Sequence, residues 1–199
     1  MKLLALLTAL VLPTLALAEV SYDKETSTLR ITGQTDMIQV LAASNHIRKH
    51  DVKYIEMWGP GGYMEMGLQL GNHISRIEGV TVVVPKGKRC ISACAFAAMG
   101  SKHIRIDGKL MLHRPFIVAV PTMTNLEDAL AYMGKGYIKT AYYLEDHGYS
   151  RFVMDNIMNY TSPCKFMVYE DLEVRKRRDF VGWHLDNSRC EIMNLRIQR

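Results

Sequence analysis

The stretch Lys88-Arg-Cys-Ile-Ser-Ala-Cys-Ala-Phe-Ala-Ala-Met-Gly100 constrains this chain more than any other. It sets one hydroxyl, Ser92, between two cysteines at the mouth of a helix made almost wholly of small residues. Residues four apart on a regular helix have Cβ atoms about 5–6 Å apart, while a disulfide needs roughly 3.5–4.5 Å. If Cys90 and Cys94 are bonded to each other, Cys90 must therefore precede the helix, in the turn that leads to Ser92. Upstream lies the glycine turn Gly59-Pro60-Gly61-Gly62, and downstream a lone imidazole, His113, in Leu110-Met-Leu-His-Arg-Pro115. A candidate nucleophile, a candidate oxyanion loop and a candidate base fall in one part of the chain.

The first 18 residues read as a secretory signal peptide. Lys2 gives a short positive start, Leu3 to Leu12 is an apolar run, and Ala16-Leu17-Ala18 is a small-residue cleavage site. The run is too short to cross a bilayer, and no later segment approaches the ~20 apolar residues of a membrane helix. The expected mature protein is residues 19–199, periplasmic or secreted, with no stable membrane span after cleavage. At 199 residues, 48% hydrophobic and 23% charged, the chain is long enough for one well-buried core and too short for two large ones. One domain is expected.

Export makes the cysteines readable as disulfides. Four are present, Cys90, Cys94, Cys164 and Cys190, and four allow three pairings. Cys90–Cys94 with Cys164–Cys190 is favoured, because the alternatives tie the Ser92 region directly to the C-terminal region. The spacing lacks a matching Cys/His pair, so no metal and no other cofactor is expected. The net charge of +5, one unit of it from Lys2, is spread out apart from Arg175-Lys-Arg-Arg178. With Glu170, Asp171 and Glu173 before it, that run reads as a helix whose acids and bases complement its dipole. Without aromatic interleaving it does not read as a nucleic-acid patch.

In order, Glu19–Tyr22 and Thr28–Gly33 are predicted strands, and Thr35 a predicted cap for a helix over Asp36–His50. Val52–Trp58 is a strand ending at the glycine turn, Tyr63–Glu78 a helix, and Val80–Val84 a strand buried on both faces. After the Ser92 helix, Lys102–Ile106 and Lys109–His113 are short strands joined by the tight-turn dipeptide Asp107-Gly108. Thr124–His147 and Arg151–Tyr160 are helical, the charged helix Tyr169–Arg178 follows, and Phe180–Leu185 is a last strand. The rhythm predicts an α/β fold, a mainly parallel sheet built from repeated right-handed βαβ units. The aromatic-rich helix carrying Tyr132, Tyr137, Tyr142 and Tyr143 is expected to cover the sheet, with a subunit interface as the other use.

Acyl transfer from a serine needs a base in hydrogen-bond reach, preorganised N–H donors for the oxyanion, and preferably a group that orients the base. Ser92 at a helix start has unpaired first-turn N–H groups and a favourable dipole beside it, so Ala93 N–H is a natural oxyanion donor. Gly61 or Gly62, at a strand end, supplies the second, since glycine lets the backbone approach a substrate closely. Taken singly, each signal is also what an ordinary N-cap, turn or structural histidine would give.

Their order carries a resemblance. Gly-Pro-Gly-Gly followed by a helix, a buried strand, Cys-Ile-Ser-Ala-Cys and then Leu-Met-Leu-His-Arg-Pro is similar to the ClpP/crotonase superfamily. Its Clp proteolytic subunits carry Ser-Pro-Gly-Gly, a small-residue segment around the serine, and Met-Ile-His-Gln-Pro. The likeness is nearest to exported ClpP-like serine protease-like proteins with a Cys-x-Ser-Ala-Cys motif, and covers residues 52 to 116 well. It implies a ClpP/crotonase-like fold, with Ser92 as nucleophile, His113 as general base, and the N–H groups of Gly62 and Ala93 as oxyanion hole. Self-association is a further implication. Gly59 stands where the family has serine, and the third triad member has no motif of its own. Asp155 is the assignment made, with Asn159 and Asp146 behind it.

The function expected is an exported serine hydrolase, a peptidase acting on peptide or protein substrates. The alternative is a catalytically inactive binding or assembly module of the same fold. A Ser–Lys dyad using Lys86, Lys88 or Lys139, and a coenzyme-A thioester enzyme, rank lower; export argues against the latter.

Overall fold

The segments whose residues are apolar on both faces become the centre of one sheet. The structure is a computed structural model, and it describes residues 19–116, 126–162, 165–174 and 183–186. Strands β1 (Glu19–Asp23) and β2 (Thr28–Thr35) form an antiparallel edge pair, and β2 runs parallel to β3 (Tyr54–Gly62). Helix α1 (Met37–Lys49) lies between β2 and β3 in the chain, and α2 (Met64–Ile74) lies between β3 and β4 (Thr81–Val84). Next come β5 (Arg89–Ile91), α3 (Ala93–Ala98), β6 (His103–Leu112), α4 (Leu126–Asp146), α5 (Arg151–Tyr160), β7 (Phe166–Val174) and β8 (His184–Asp186). The sheet order is β1-β2-β3-β4-β6-β7-β8. Its middle is parallel, and β7 and β8 close it antiparallel.

Strand β5 pairs with both β3 and β6, as β4 does. The two are successive pieces of one lane, separated by a turn over residues 85–88. β4 pairs with the start of β6, Thr81 opposite His103, and β5 with its end, Ile91 opposite Met111. This lane change carries the chain out of the sheet at Ser92. It also corrects the reading of Asp107-Gly108. That dipeptide is no hairpin turn but lies inside one continuous strand, β6. A side chain on Gly108 would run into the carbonyl oxygens of Pro85 and Lys88, so the missing Cβ admits the crossing backbone and does not turn the strand.

Two further expectations are corrected. Asp36 caps α1, accepting a hydrogen bond from Gln39 N–H at 2.8 Å, while Thr35 ends β2. Residues 166–174 are a strand, not the beginning of a charged helix; residues 175–178 lie outside the described residues. The acids that suggested a helix dipole belong to a ladder: Glu170 sits opposite Lys109 and pairs with it at 3.2 Å, and Glu173 sits opposite Arg105. Phe166, Met167, Val168 and Tyr169 are all buried, so both faces of the first half of β7 are covered.

The core centres on α3. Every one of its residues, Ala93 to Ala98, is buried. Small side chains let neighbouring backbones close in: Gly67 of α2 lies on the backbone of Ala93, and Gly100 on that of Gly71. The carbonyls at the end of α3 have tyrosine donors. Tyr143 Oη of α4 donates to Phe96 O at 2.7 Å, and Tyr149 Oη donates to Met99 O at 3.0 Å. The aromatic-rich helix therefore seals α3 through Tyr143, while Tyr132 and Tyr142 are exposed. No helix among the described residues is long and apolar enough to cross a membrane.

Candidate active site

Ser92 is the hinge between β5 and α3. Its N–H donates to Met111 O at 2.8 Å, the last ladder bond to β6, and its carbonyl accepts from Phe96 N–H, the first bond of the helix. Between these two the chain reverses, and Ser92 takes φ 57°, ψ −121°. Positive φ is costly for a residue with a Cβ. Here the neighbours impose it, and such sharp strand-to-helix turns lift a hydroxyl clear of a sheet. The side chain makes no capping bond back to the helix, so the hydroxyl is not used as an ordinary N-cap.

The disulfide brackets this turn. Cys90 in β5 and Cys94 in the first turn of α3 are bonded, with Cα atoms 5.3 Å apart. Cys90 precedes the helix, as the distance argument requires. Both sulfurs belong to buried residues. Cys164 and Cys190, and with them the expected Cys164–Cys190 pairing, lie outside the described residues, as do residues 1–18, where a signal peptide is expected.

Gly61 presses on the turn from the β3 side. It has φ +89°, and a Cβ on it would stand 2.6 Å from Ile91 O, 2.7 Å from Ser92 Cβ and 3.1 Å from Ala93 N. Gly61, Ser92 and the Ala93 amide are thus in direct contact. Gly62 follows, against the backbone of Thr35. Tyr63 N–H donates to Thr35 O at 2.9 Å. By the alternation of a strand, the Gly62 amide then turns away from β2, towards the side where β5 and Ser92 lie. The glycine turn of the sequence is in fact the extended end of β3.

His113 lies one residue beyond β6. The last register pair of the two strands is Ile91 opposite Met111, so Ser92 follows the paired end of β5 by one residue and His113 that of β6 by two. The imidazole is 2% exposed. It is set between Phe116 and Phe166, with centroids 5.3 Å away from each and the Phe166 ring edge-on. Nδ1 is 2.8 Å from Arg114 O. A carbonyl only accepts, so Nδ1 carries the proton and Nε2 a lone pair. Nε2 is buried with no hydrogen-bond partner, so the bond from Ser92 Oγ to it is not formed here; such bonds are often long before substrate binds. Burial holds the His113 pKa below the ordinary histidine value, and the bond to Arg114 O opposes this only in part.

The three carboxamide and carboxylate candidates are not brought to His113. Asp155 and Asn159 are exposed on α5, and Asp146 is exposed at the end of α4. Asp155 lines a cleft between α4 and α5 with Tyr142, Tyr149 and Met154. The polar residue that does reach the His113 strand end is Thr161, buried at the C-terminus of α5, whose Oγ1 accepts from Arg114 N–H at 2.7 Å. No sequence motif marks it. The lysines are poorly placed as bases. Lys86 and Lys88 are exposed, with Lys88 over the Trp58 ring, and Glu65 at 2.7 Å raises the pKa of exposed Lys139.

No family model matches the chain, and no curated protein matches it. Solved structures do. Among them is a mutant of ClpP1 from Listeria monocytogenes, at 16% identity and a TM-score of 0.57, covering 73% of this chain and 84% of that one. The chain has a ClpP-like α/β fold, with a sheet that is mostly parallel in its core.

Proposed function

We propose that this chain is an exported serine hydrolase, a peptidase, built on strand–helix–strand units repeated through β2–α1–β3 and β3–α2–β4. The observation that carries it is Ser92 at positive φ between β5 and α3, pressed by Gly61, with the buried, unpartnered Nε2 of His113 just beyond the end of the neighbouring strand β6. In this reading Nε2 takes the Ser92 proton as Oγ bonds to the scissile carbonyl carbon. The oxyanion is met by the N–H groups of Gly62 and Ala93, with Gly61 giving the backbone room. His113 then passes the proton to the leaving amine as the C–N bond breaks, and a water repeats the cycle on the acyl-enzyme. The Cys90–Cys94 bridge fits an oxidising compartment reached through the signal peptide.

A second reading, a ClpP-fold module without catalysis, is favoured by one observation: His113 Nδ1 faces a peptide carbonyl and not a carboxylate. Self-association is part of either reading, supported by the exposed Met37, Ile38 and Leu41 on α1. A fluorophosphonate probe separates the two. Wild-type mature protein is labelled on Ser92, and Ser92→Ala is not. A wild type that stays unlabelled under reducing and non-reducing conditions sinks the hydrolase and leaves the module.

A further inference from the structure

A base on a strand end must keep its ring from turning, and the hydrogen bond of the His113 ring runs to a backbone carbonyl. Thr161 is 4% exposed and ends α5. Its hydroxyl hydrogen is committed to Ile157 O, so its oxygen is left as an acceptor, and that acceptor takes Arg114 N–H at 2.7 Å. The same residue, Arg114, offers its carbonyl to His113 Nδ1 at 2.8 Å. Tyr137 Oη donates to Pro115 O at 3.1 Å and holds the next peptide. The Arg114 side chain is exposed, so the link runs through its backbone alone. Hydrogen bonds therefore run from the α5 backbone through Thr161 to the His113–Arg114 peptide, and from the carbonyl of the next peptide to the imidazole, the two joined through the Arg114 Cα.

We propose that Thr161 is the positioning residue behind His113: its hydroxyl anchors the Arg114 backbone, whose carbonyl keeps the imidazole in the Nδ1–H tautomer with Nε2 free to accept a proton. The inference rests on the reading of Ser92 and His113 as one site. Thr161 touches no reacting atom; it stands in for the orienting carboxylate by fixing a carbonyl. A carbonyl orients the ring but adds no negative charge, so the imidazolium formed during the reaction is stabilised less than beside a carboxylate.

The test reads the ring directly and independently of activity. Protein with isotopically labelled histidine is examined by long-range proton–nitrogen NMR, as wild type, Thr161→Val and Thr161→Ser. The expected result is a single Nδ1–H tautomer for His113 in the wild type, a mixture in Thr161→Val, and recovery in Thr161→Ser. The fluorophosphonate labelling rate is expected to follow, falling about tenfold or more in Thr161→Val through misplacement of the base. A wild-type ring protonated on Nε2 overturns the proposal, as does a folded Thr161→Val with the wild-type tautomer. Should Thr161→Val not fold, wild type and Thr161→Ser decide: one Nδ1–H tautomer in both supports the proposal, and a mixture in either overturns it. A wild type that shows the expected tautomers yet takes no label removes the hydrolase reading and leaves the positioning relay standing.

Discussion

The two sides of the proposed site are held by different physics. Ser92 is confined by a covalent bridge, by Gly61 against it and Gly67 against the following Ala93, and by a helix with no exposed residue. His113 is confined by two aromatic rings and by its hydrogen bond to Arg114 O, on a residue whose N–H is held in turn by Thr161. The first arrangement fixes a strained backbone, which needs constraint from several directions at once. The second fixes a ring, whose only freedom is rotation and choice of tautomer, and a polar contact on one nitrogen is enough. It follows that the nucleophile side should fail through packing and the base side through polarity.

The sharpest blow to the nucleophile side is Gly61→Ala. A methyl there meets Ile91 O at 2.6 Å and Ser92 Cβ at 2.7 Å, on a backbone at φ +89°. The left-handed conformation alone costs roughly 1–2 kcal/mol for an alanine, and relief of the clash must move Ser92. A displacement near 1 Å costs on the order of 10²-fold in rate. Fluorophosphonate labelling of Gly61→Ala, corrected for the folded fraction by circular dichroism, is expected to drop by that order. Wild-type labelling in a folded Gly61→Ala would show that the turn is not rigid.

The bridge comes second. For so short a loop, the chain-entropy estimate for a disulfide is about 2 kcal/mol. Cys90→Ala with Cys94→Ala is expected to lower the unfolding free energy by that amount, read as a fall in the urea midpoint with the slope of the transition little changed. Labelling should fall less than in Gly61→Ala, because the glycine contacts remain. If the double variant instead loses labelling completely while staying folded, the bridge and not the packing holds Ser92 in place.

These contrasts explain what could be read from residues alone. The nucleophile side is local: Cys-Ile-Ser-Ala-Cys, the small residues after it and the Gly-Gly before it lie in short runs, and spacing alone puts Cys90 ahead of the helix. The base side depends on residues far apart in the chain. Thr161 reaches Arg114 across 47 positions, and nothing in Asn-Tyr-Thr-Ser-Pro distinguishes that threonine from a helix-ending one. Asp155 has the right charge for an orienting group, yet charge says nothing about which face of α5 turns inward. The same limit misreads residues 169–174. Acids before bases mimic a helix dipole, but Tyr169 is opposite Leu110 and Leu172 opposite Ile106. Those cross-strand partners, invisible to a local pattern, decide for a strand. Asp107-Gly108 fails likewise, since its glycine answers to Pro85 and Lys88 and not to its own neighbours.

The smallest expected effect, and the one most particular to the base side, is on pH. Burial lowers the His113 pKa from its ordinary 6.5, and the bond to Arg114 O offsets this only partly. As the unfolded chain keeps the ordinary value, it binds the proton first on acidification. Stability linked to this group is therefore full above pH 6.5 and is lost as pH falls from there towards the lowered folded value. A glutamine at the site does not titrate, so the difference in urea midpoint between wild type and His113→Gln should narrow across that window and not above it. For the rate, a neutral imidazole persists below pH 6.5, so the acid limb of wild-type labelling is expected to lie on the acid side of that value. An acid limb at or above pH 6.5 would mean that the ring is more solvated during reaction than its 2% exposure indicates. The base side would then open before it acts, while the nucleophile side, locked by the bridge and the glycines, stays as it is.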